Sequence, residues 1–194
     1  PASACASDRT QRLAQTPAVQ PPEVAAPSVV VASPEGDPSE AEALAKTANT
    51  LDELRAAMEG FEGSALKARA TQLVFADGNA NAKIMLVGEA PGRDEDLQGM
   101  PFVGRSGELL DRMLAAIDLD RSSVYLTNTI GWRPPGSRPP SPAETEVCLP
   151  FLRRHIELVA PKLLLTLGAP AAQSLLGTRI SISKLRGQWR EVVV

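Results

Sequence analysis

The fold of this chain is decided by Ile84-Met85-Leu86-Val87, which runs into Gly88-Glu89-Ala90-Pro91-Gly92-Arg93-Asp94-Glu95-Asp96. The first four residues are apolar and bounded by turn residues, so they predict a short buried strand. Glycine permits close approach of a ligand to the backbone, and proline fixes φ and removes an amide donor. Open α/β sheets form their sites in loops at the carboxyl ends of such strands. The alternative interpretation is an ordinary strand-to-helix turn that carries solvated acids.

Similar apolar segments follow downstream, separated by helical patterns. Residues 123–128 predict a second buried strand and residues 162–167 a third strand. Helices are predicted over 106–119, from Pro142 onward and over 170–176. The buried stripe of the first of these helices is predicted to consist of Leu109, Leu110, Met113, Leu114 and Ile117. This alternation favours an α/β fold, a three-layer α/β/α sandwich with a central, mostly parallel sheet of about four strands.

Composition bounds the domain organisation and the partners. Residues 1–38 are rich in Ala, Pro, Ser and Val and predict a flexible tail, which leaves 39–194 as one α/β domain. No apolar run approaches the roughly 20 residues that span a bilayer, so we expect no membrane partner. The net charge of −3 excludes a polycation, so local basic loops would have to hold any nucleic acid.

The cysteines and the single histidine limit the metal chemistry. Cys5 and Cys148 are far apart in the sequence, which suits a reducing cytoplasm and excludes a disulfide scaffold. Two thiols alone cannot form a thiolate metal site. His155 lies inside the helix that begins at Pro142, and we expect it on the helix surface.

A polar constellation follows the first two long strands. Glu89 and Asn128 lie at the carboxyl ends of two predicted parallel strands, and Phe102 follows in the loop between Pro101 and Gly104. An amide can read the polar edge of a ring, an aromatic side chain can stack on that ring, and a carboxylate can act on water or on positive charge. The sequence therefore predicts a binding site at this edge of the sheet.

Several of these segments occur together in one known family. Gly88-Glu89-Ala90-Pro91-Gly92, Pro101-Phe102-Val103-Gly104, Thr127-Asn128, Arg133-Pro134-Pro135-Gly136, Cys148-Leu149-Pro150-Phe151-Leu152 and Leu185-Arg186-Gly187-Gln188-Trp189 resemble, in order, the motifs of the family 4 uracil-DNA glycosylases. The resemblance runs from about Met58 to the end of the chain. It implies a DNA repair enzyme that flips uracil out of DNA and hydrolyses its N-glycosidic bond, leaving an abasic site.

The resemblance also implies residue roles. Phe102 would stack on uracil, Asn128 would hydrogen-bond its polar edge, and the loop that begins at Gly88 would face the base. Glu89 would orient water and stabilise the cationic sugar, and Glu95 would support it. Uracil-containing DNA is therefore the expected partner of a monomeric protein.

DNA contacts are implied for a second set of residues. Arg133, Ser137, Arg138 and Ser141 would lie along the DNA backbone, and Arg186 would contact a phosphate. The alternative for the charged members is solvated surface charge.

The chain departs from the family at the cofactor. Family members usually hold an iron–sulfur cluster with four cysteines. Cys148 keeps one of these positions, whereas Trp132, Phe61 and Ser64 occupy the other three. We therefore predict no cluster and no metal, with Trp132 and Phe61 packing in that space and Cys148 as a buried thiol.

A second departure concerns the end of the sequence. The family has a further histidine–proline motif beyond Trp189, whereas this sequence stops at Val194, so we expect a fragment of a longer polypeptide. The alternative is a catalytically impaired protein that binds uracil-containing DNA without turnover. A cross-linking branch of uracil-DNA glycosylases is disfavoured because residues 136–140 contain no histidine.

Overall fold

The computed structural model describes residues 36–192, so the predicted tail lies almost wholly outside the described residues. The helices are α1 (Pro38–Thr47), α2 (Leu51–Gly60), α3 (Arg93–Gln98), α4 (Arg105–Ala115), α5 (Pro142–Val159), α6 (Ala169–Leu176) and α7 (Ile182–Leu185). The strands are β1 (Asp77–Gly78), β2 (Ile84–Gly88), β3 (Tyr125–Asn128) and β4 (Leu163–Thr166). The three predicted strands correspond to β2, β3 and β4.

The four strands form one sheet in the order β1-β3-β2-β4. Strand β2 runs parallel to both β3 and β4, and the short β1 pairs antiparallel with β3. This arrangement confirms the mostly parallel sheet. The register places Gly88 opposite Asn128, so the loops that follow β2 and β3 leave the same edge of the sheet side by side.

Helices cover both faces of the sheet, which confirms the three-layer architecture. Met85, Val87 and Tyr125 point to one face and pack with residues of α5 and α6. Leu86 and Leu126 point to the opposite face and pack against α4. Each large apolar side chain buried in this way contributes about 1.5–3 kcal/mol, so the two faces fix the sheet between its helices.

Helix α5 begins as the sequence predicts. The Ser141 hydroxyl accepts a hydrogen bond from the Glu144 main-chain N–H at 3.1 Å, and the Glu144 carboxylate accepts one from the Ser141 N–H at 2.6 Å. Pro142 occupies the first turn, where its missing N–H costs nothing. This reciprocal cap fixes where the basic loop after β3 ends.

The predicted buried stripe of α4 is wrong for three of its five residues. Leu110 and Leu114 are buried against the sheet, whereas Leu109, Met113 and Ile117 are 52%, 57% and 65% exposed. Residues four apart share one line along a helix, and only the line through Leu110 and Leu114 faces the strands. The helix also ends at Ala115, before Ile117. The apolar residues of α4 therefore cover a wider part of its surface than the face that packs against the sheet.

Candidate functional site

A cleft of about 460 Å³ opens at the carboxyl ends of β2 and β3. Its walls come from the loop after β2, the start of α3, the Phe102 loop, one side of α4 and the loop after β3. The lining residues include Gly88, Glu89, Ala90, Pro91, Gly92, Glu95, Phe102, Ser106, Leu109, Met113, Asn128, Ser137, Arg138 and Leu167. The structure therefore brings Glu89, Phe102 and Asn128 to one cleft.

Gly88 brings the amide and the aromatic ring of the site together. A Cβ atom on Gly88 would lie 2.4 Å from Asn128 Oδ1 and 2.7 Å from Phe102 Cζ. Real Cβ atoms do not come so close to other heavy atoms, so only glycine leaves room for both side chains. The last residue of β2 thus sets an amide and a ring side by side on the floor of the cleft.

Asn128 is held at its main chain while its side chain faces the cleft. The next residue, Thr129, donates hydrogen bonds to the Gly88 carbonyl from its main-chain N at 2.8 Å and from Oγ1 at 2.9 Å. The Asn128 side chain is almost buried and makes no hydrogen bond within residues 36–192. A nearly buried amide with unused donors and acceptors is suited to a polar ligand.

Glu89 and Glu95 differ in what their carboxylates contact. Glu95 accepts hydrogen bonds from the Gly92 N–H at 3.0 Å and from the Gly104 N–H at 2.9 Å. It therefore ties together the residues that immediately precede α3 and α4. The Glu89 carboxylate has no hydrogen-bond or ion-pair partner in the described part of the chain and lines the cleft half-buried. Of these two carboxylates, that of Glu89 is the one that no residue in 36–192 occupies, so it is available to a ligand or to water.

The predicted DNA-contact residues lie on the loop after β3 and immediately after α7. Ser137 and Arg138 line the cleft. Arg133 donates to Ser137 Oγ from Nε at 3.2 Å and from Nη2 at 3.1 Å, and its Nη1 lies 3.9 Å from the buried Asp96 carboxylate. Arg186, at the end of α7, is exposed and does not line the cleft.

Arg138 is bound to Glu144 as well as lining the cleft. Its guanidinium donates to both carboxylate oxygens of Glu144, at 2.8 and 2.5 Å. This hydrogen bonding lowers the pKa of Glu144 below its ordinary value, against the opposing effect of burial. Ser141, the fourth residue predicted on this loop, uses its hydroxyl to cap α5. The loop is therefore ordered by side-chain contacts of its own.

His155 is not a surface residue, so that prediction is wrong. It is 3% exposed, its Nε2 lies 2.8 Å from the Tyr125 hydroxyl, and its ring centre lies 4.3 Å from that of Phe75. Burial, with a smaller effect of Arg55, lowers the pKa of His155 to about 3. The face of α5 that carries His155 packs on the sheet. The charged residues next to His155 in the sequence suggested an exposed position instead.

Acid should destabilise the fold through this histidine. In the unfolded chain His155 takes up a proton near pH 6.5, whereas in the folded chain its pKa is about 3. The free energy of unfolding therefore falls as the pH drops from above 6.5 toward 3. Between pH 7 and pH 5.5 we expect a loss of about 1 kcal/mol of unfolding free energy. His155→Gln, which keeps a hydrogen-bond acceptor for Tyr125, should remove that loss in urea titrations at the two pH values. An equal loss in both proteins would contradict the assignment.

The four positions that the family resemblance assigns to iron–sulfur ligands lie in or beside a hydrophobic core. Phe61, Trp132 and Cys148 are buried in the same core with Phe151, and the Phe61 and Phe151 ring centres are 5.2 Å apart. The Ser64 hydroxyl is buried without a hydrogen-bond partner among the described residues. A cluster needs four thiolates, and these side chains supply one. The residues present do not fit an iron–sulfur cluster.

Residues 36–192 contain neither a group of metal-binding side chains nor a membrane-spanning helix. No group of three or more His, Cys, Asp or Glu side chains is arranged to hold a metal ion there. No helix in that range has both the length and the apolar composition to cross a bilayer.

Two features of the site were not predicted from the sequence. Leu109 and Met113 line the cleft instead of the core, and apolar residues at helical spacing look the same in the sequence in either place. Arg121 contacts the main chain of the Phe102 loop from a polar turn before β3, where nothing in the local sequence marks it.

Comparison with known proteins gives a consistent result. The model of the uracil DNA glycosylase superfamily matches residues 75–194. The type-4 uracil-DNA glycosylase of Archaeoglobus fulgidus is 46% identical over 126 residues, which cover 63% of this chain and 63% of that protein. Those of Thermotoga maritima and Sulfurisphaera tokodaii are each 42% identical, over 60% and 61% of this chain and 62% and 56% of their own lengths. The chain thus spans less than two thirds of the length of these curated relatives.

Proposed function

Because the chain belongs to the uracil DNA glycosylase superfamily, we propose that its cleft receives a uracil flipped out of DNA and that the N-glycosidic bond is hydrolysed there. One observation carries this proposal. The Asn128 amide and the Phe102 ring meet beside Gly88, in the cleft that Glu89 also lines. The type-4 relatives, whose names state a uracil-DNA glycosylase activity, support the choice of substrate.

The amide and the ring account for base recognition. Uracil presents an N3–H donor beside an O4 acceptor, and a carboxamide offers the complementary acceptor and donor. Cytosine presents an acceptor and an amino donor at the same places, so a fixed amide pairs with only one of the two bases. Phe102 supplies a flat apolar surface for stacking, which every base can use. Discrimination against cytosine therefore rests on Asn128, and stacking affinity rests on Phe102.

Glu89 accounts for the chemistry. Breaking the bond between the sugar C1′ and the base N1 leaves positive charge on the sugar, and uracil departs with the electron pair as an anion. A fixed carboxylate stabilises that positive charge in a site with little water. Glu89 also orients a water whose oxygen bonds to C1′ and whose proton passes to the carboxylate. The loop from Gly88 to Gly92, which lines the cleft, faces the departing anion.

Glu95 takes a positioning role in this scheme. Its carboxylate already accepts from the N–H groups of Gly92 and Gly104. Through these contacts it keeps the loop after β2 and the Phe102 loop at a fixed separation. We propose that Arg133, Ser137, Arg138 and Arg186 contact the DNA backbone, with Ser141 shaping the same loop.

We also propose that the protein works without an iron–sulfur cluster. The Phe61, Trp132 and Cys148 cluster joins the segment after α2, the loop after β3 and helix α5 by apolar packing. Protein purified without oxygen should show no visible absorption band and less than stoichiometric iron by metal analysis. A band in the visible region, accompanied by several iron atoms per chain, would refute the proposal.

We propose that the protein acts as a monomer in the cytoplasm. All residues of the proposed site come from one chain, which supports action as a monomer. A DNA substrate and two cysteines distant in sequence support a location in the cytoplasm.

A cleavage assay tests the proposal against a protein that only binds. The chain is mixed with a labelled duplex that carries one uracil, and alkali then breaks the strand at any abasic site. Glycosylase activity yields a cut at the uracil and none in a matched thymine duplex. If the chain shifts the uracil duplex in a gel more strongly than the thymine duplex but alkali produces no cut, the protein binds uracil-containing DNA and is not a glycosylase.

A further inference from the structure

The Phe102 main chain adopts a conformation that the rest of the protein must hold. Phe102 has a φ of 56°, in the left-handed region that side chains other than glycine and asparagine rarely occupy. Its half-buried ring forms part of the cleft wall. A residue in such a conformation persists only where its surroundings maintain it. The contacts of the Phe102 main chain therefore determine where the ring sits.

Two neighbours fix this main chain. Gly107 lies so close that a Cβ on it would be 1.6 Å from the Phe102 carbonyl oxygen. On the other side, Arg121 Nη2 donates a hydrogen bond to that same carbonyl oxygen, and Nη1 donates to the Pro101 carbonyl at 3.4 Å. One guanidinium thus holds two successive carbonyl groups of the loop.

Arg121 is itself held rigidly by two carboxylates. Nη1 donates to Asp77 Oδ2 at 2.7 Å, and Nε and Nη2 donate to the two Asp111 oxygens at 2.8 and 3.3 Å. With the two carbonyl groups, these contacts occupy the five N–H donors that a guanidinium possesses. Asp77 belongs to β1 and Asp111 to α4, so Arg121 links the sheet edge, the helix and the Phe102 loop.

We propose that Arg121 is a positioning residue for the Phe102 ring and so for the base stacked on it. This inference rests on the proposed function, since it assigns Phe102 to the flipped uracil. Arg121 does not line the cleft and acts only through the two carbonyl groups. Lysine cannot replace it, because an ammonium lacks the planar fork that reaches two carbonyls and two carboxylates together.

The alternative is that Arg121 merely contributes ion pairs to stability. Arg154 provides a matched control for that alternative. Its Nε donates to the Ala48 carbonyl at 2.8 Å and its Nη1 to Glu157 at 2.5 Å, and it is about as buried as Arg121. It lies outside the cleft lining. Arg154→Gln therefore removes a carbonyl contact and an ion pair without touching the Phe102 loop.

The kinetic test measures single-turnover excision of uracil at saturating enzyme. We expect Arg121→Gln to be about tenfold to 100-fold slower than the parent chain, and Arg154→Gln to match it. In a chain that already carries Phe102→Ala, adding Arg121→Gln should cause no further loss, because the ring that it positions is gone. Effects that multiply in the double variant would overturn the proposal.

A spectroscopic test follows the ring directly. The chain has four phenylalanines, so fluorophenylalanine labelling gives four fluorine signals, and Phe102→Leu identifies the one from Phe102. Arg121→Gln and Arg121→Lys should both move this signal, and Arg154→Gln should not. A signal that stays in place in a folded Arg121 variant refutes the assignment. If the parent chain excises no uracil, the proposed function fails, and the fluorine signal alone then decides whether Arg121 holds the ring.

Discussion

Replacing Glu89 by glutamine is expected to slow uracil excision about 100-fold to 1,000-fold in single-turnover assays. The substitution keeps the size of the side chain and removes its negative charge. Because the developing sugar cation is present only in the transition state, the loss should fall on the rate constant and leave the affinity for uracil-containing DNA nearly unchanged. Binding is measured by fluorescence anisotropy with the same duplex.

Glu108→Gln is the matched control for this prediction. Glu108 is an exposed residue in the first turn of α4 and does not line the cleft, so its substitution makes the same change of net charge. It should excise uracil at the parent rate. A Glu89→Gln protein that is as fast as Glu108→Gln would show that the carboxylate in the cleft does not take part in the chemistry.

Replacing Gly88 by alanine is expected to abolish productive base binding. The added Cβ would lie 2.4 Å from Asn128 Oδ1 and 2.7 Å from Phe102 Cζ, so the amide and the ring cannot both keep their places. A displacement of about 1 Å at a reacting site can cost about 100-fold in rate. Excision should fall by at least about that factor, and the preference for uracil over cytosine duplexes in binding should disappear.

Gly60→Ala separates this effect from a general loss of helix or strand order. Gly60 is the last residue of α2, and a Cβ there meets nothing within 4 Å. Alanine at this position should leave excision unchanged and the melting temperature equal or higher, since alanine favours helix over glycine. If Gly88→Ala retains the parent rate while folding normally, the close packing of Asn128 and Phe102 around Gly88 is not needed for activity.

Local patterns in the sequence predicted the framework of the sheet. Short apolar runs ending in glycine or asparagine marked β2 and β3, and the parallel arrangement then placed Gly88 beside Asn128. This step needed only the alternation of strands and helices. The strand β1 was not predicted, because Asp77-Gly78 carries a turn signal and pairs with β3 only through tertiary structure.

Features that depend on contacts between residues distant in the sequence could not be predicted from local patterns. The stripe of α4 and the burial of His155 depend on which side of a helix meets the sheet, and a helix with apolar residues on several sides leaves that choice open. Glu95 reaches the Gly104 N–H, and Arg121 reaches the Phe102 carbonyl, across chain segments whose approach only the folded structure defines. Charged residues at such positions look like ordinary surface residues in the sequence.

We propose that the cleft removes uracil and discriminates it from the other pyrimidines. The most direct test is mass spectrometry of the free base released from three duplexes that differ only in one uracil, cytosine or thymine. We predict release of uracil alone, and no release by the Glu89→Gln protein within the same time. No free base from any duplex, or cytosine released as fast as uracil, would contradict the claim.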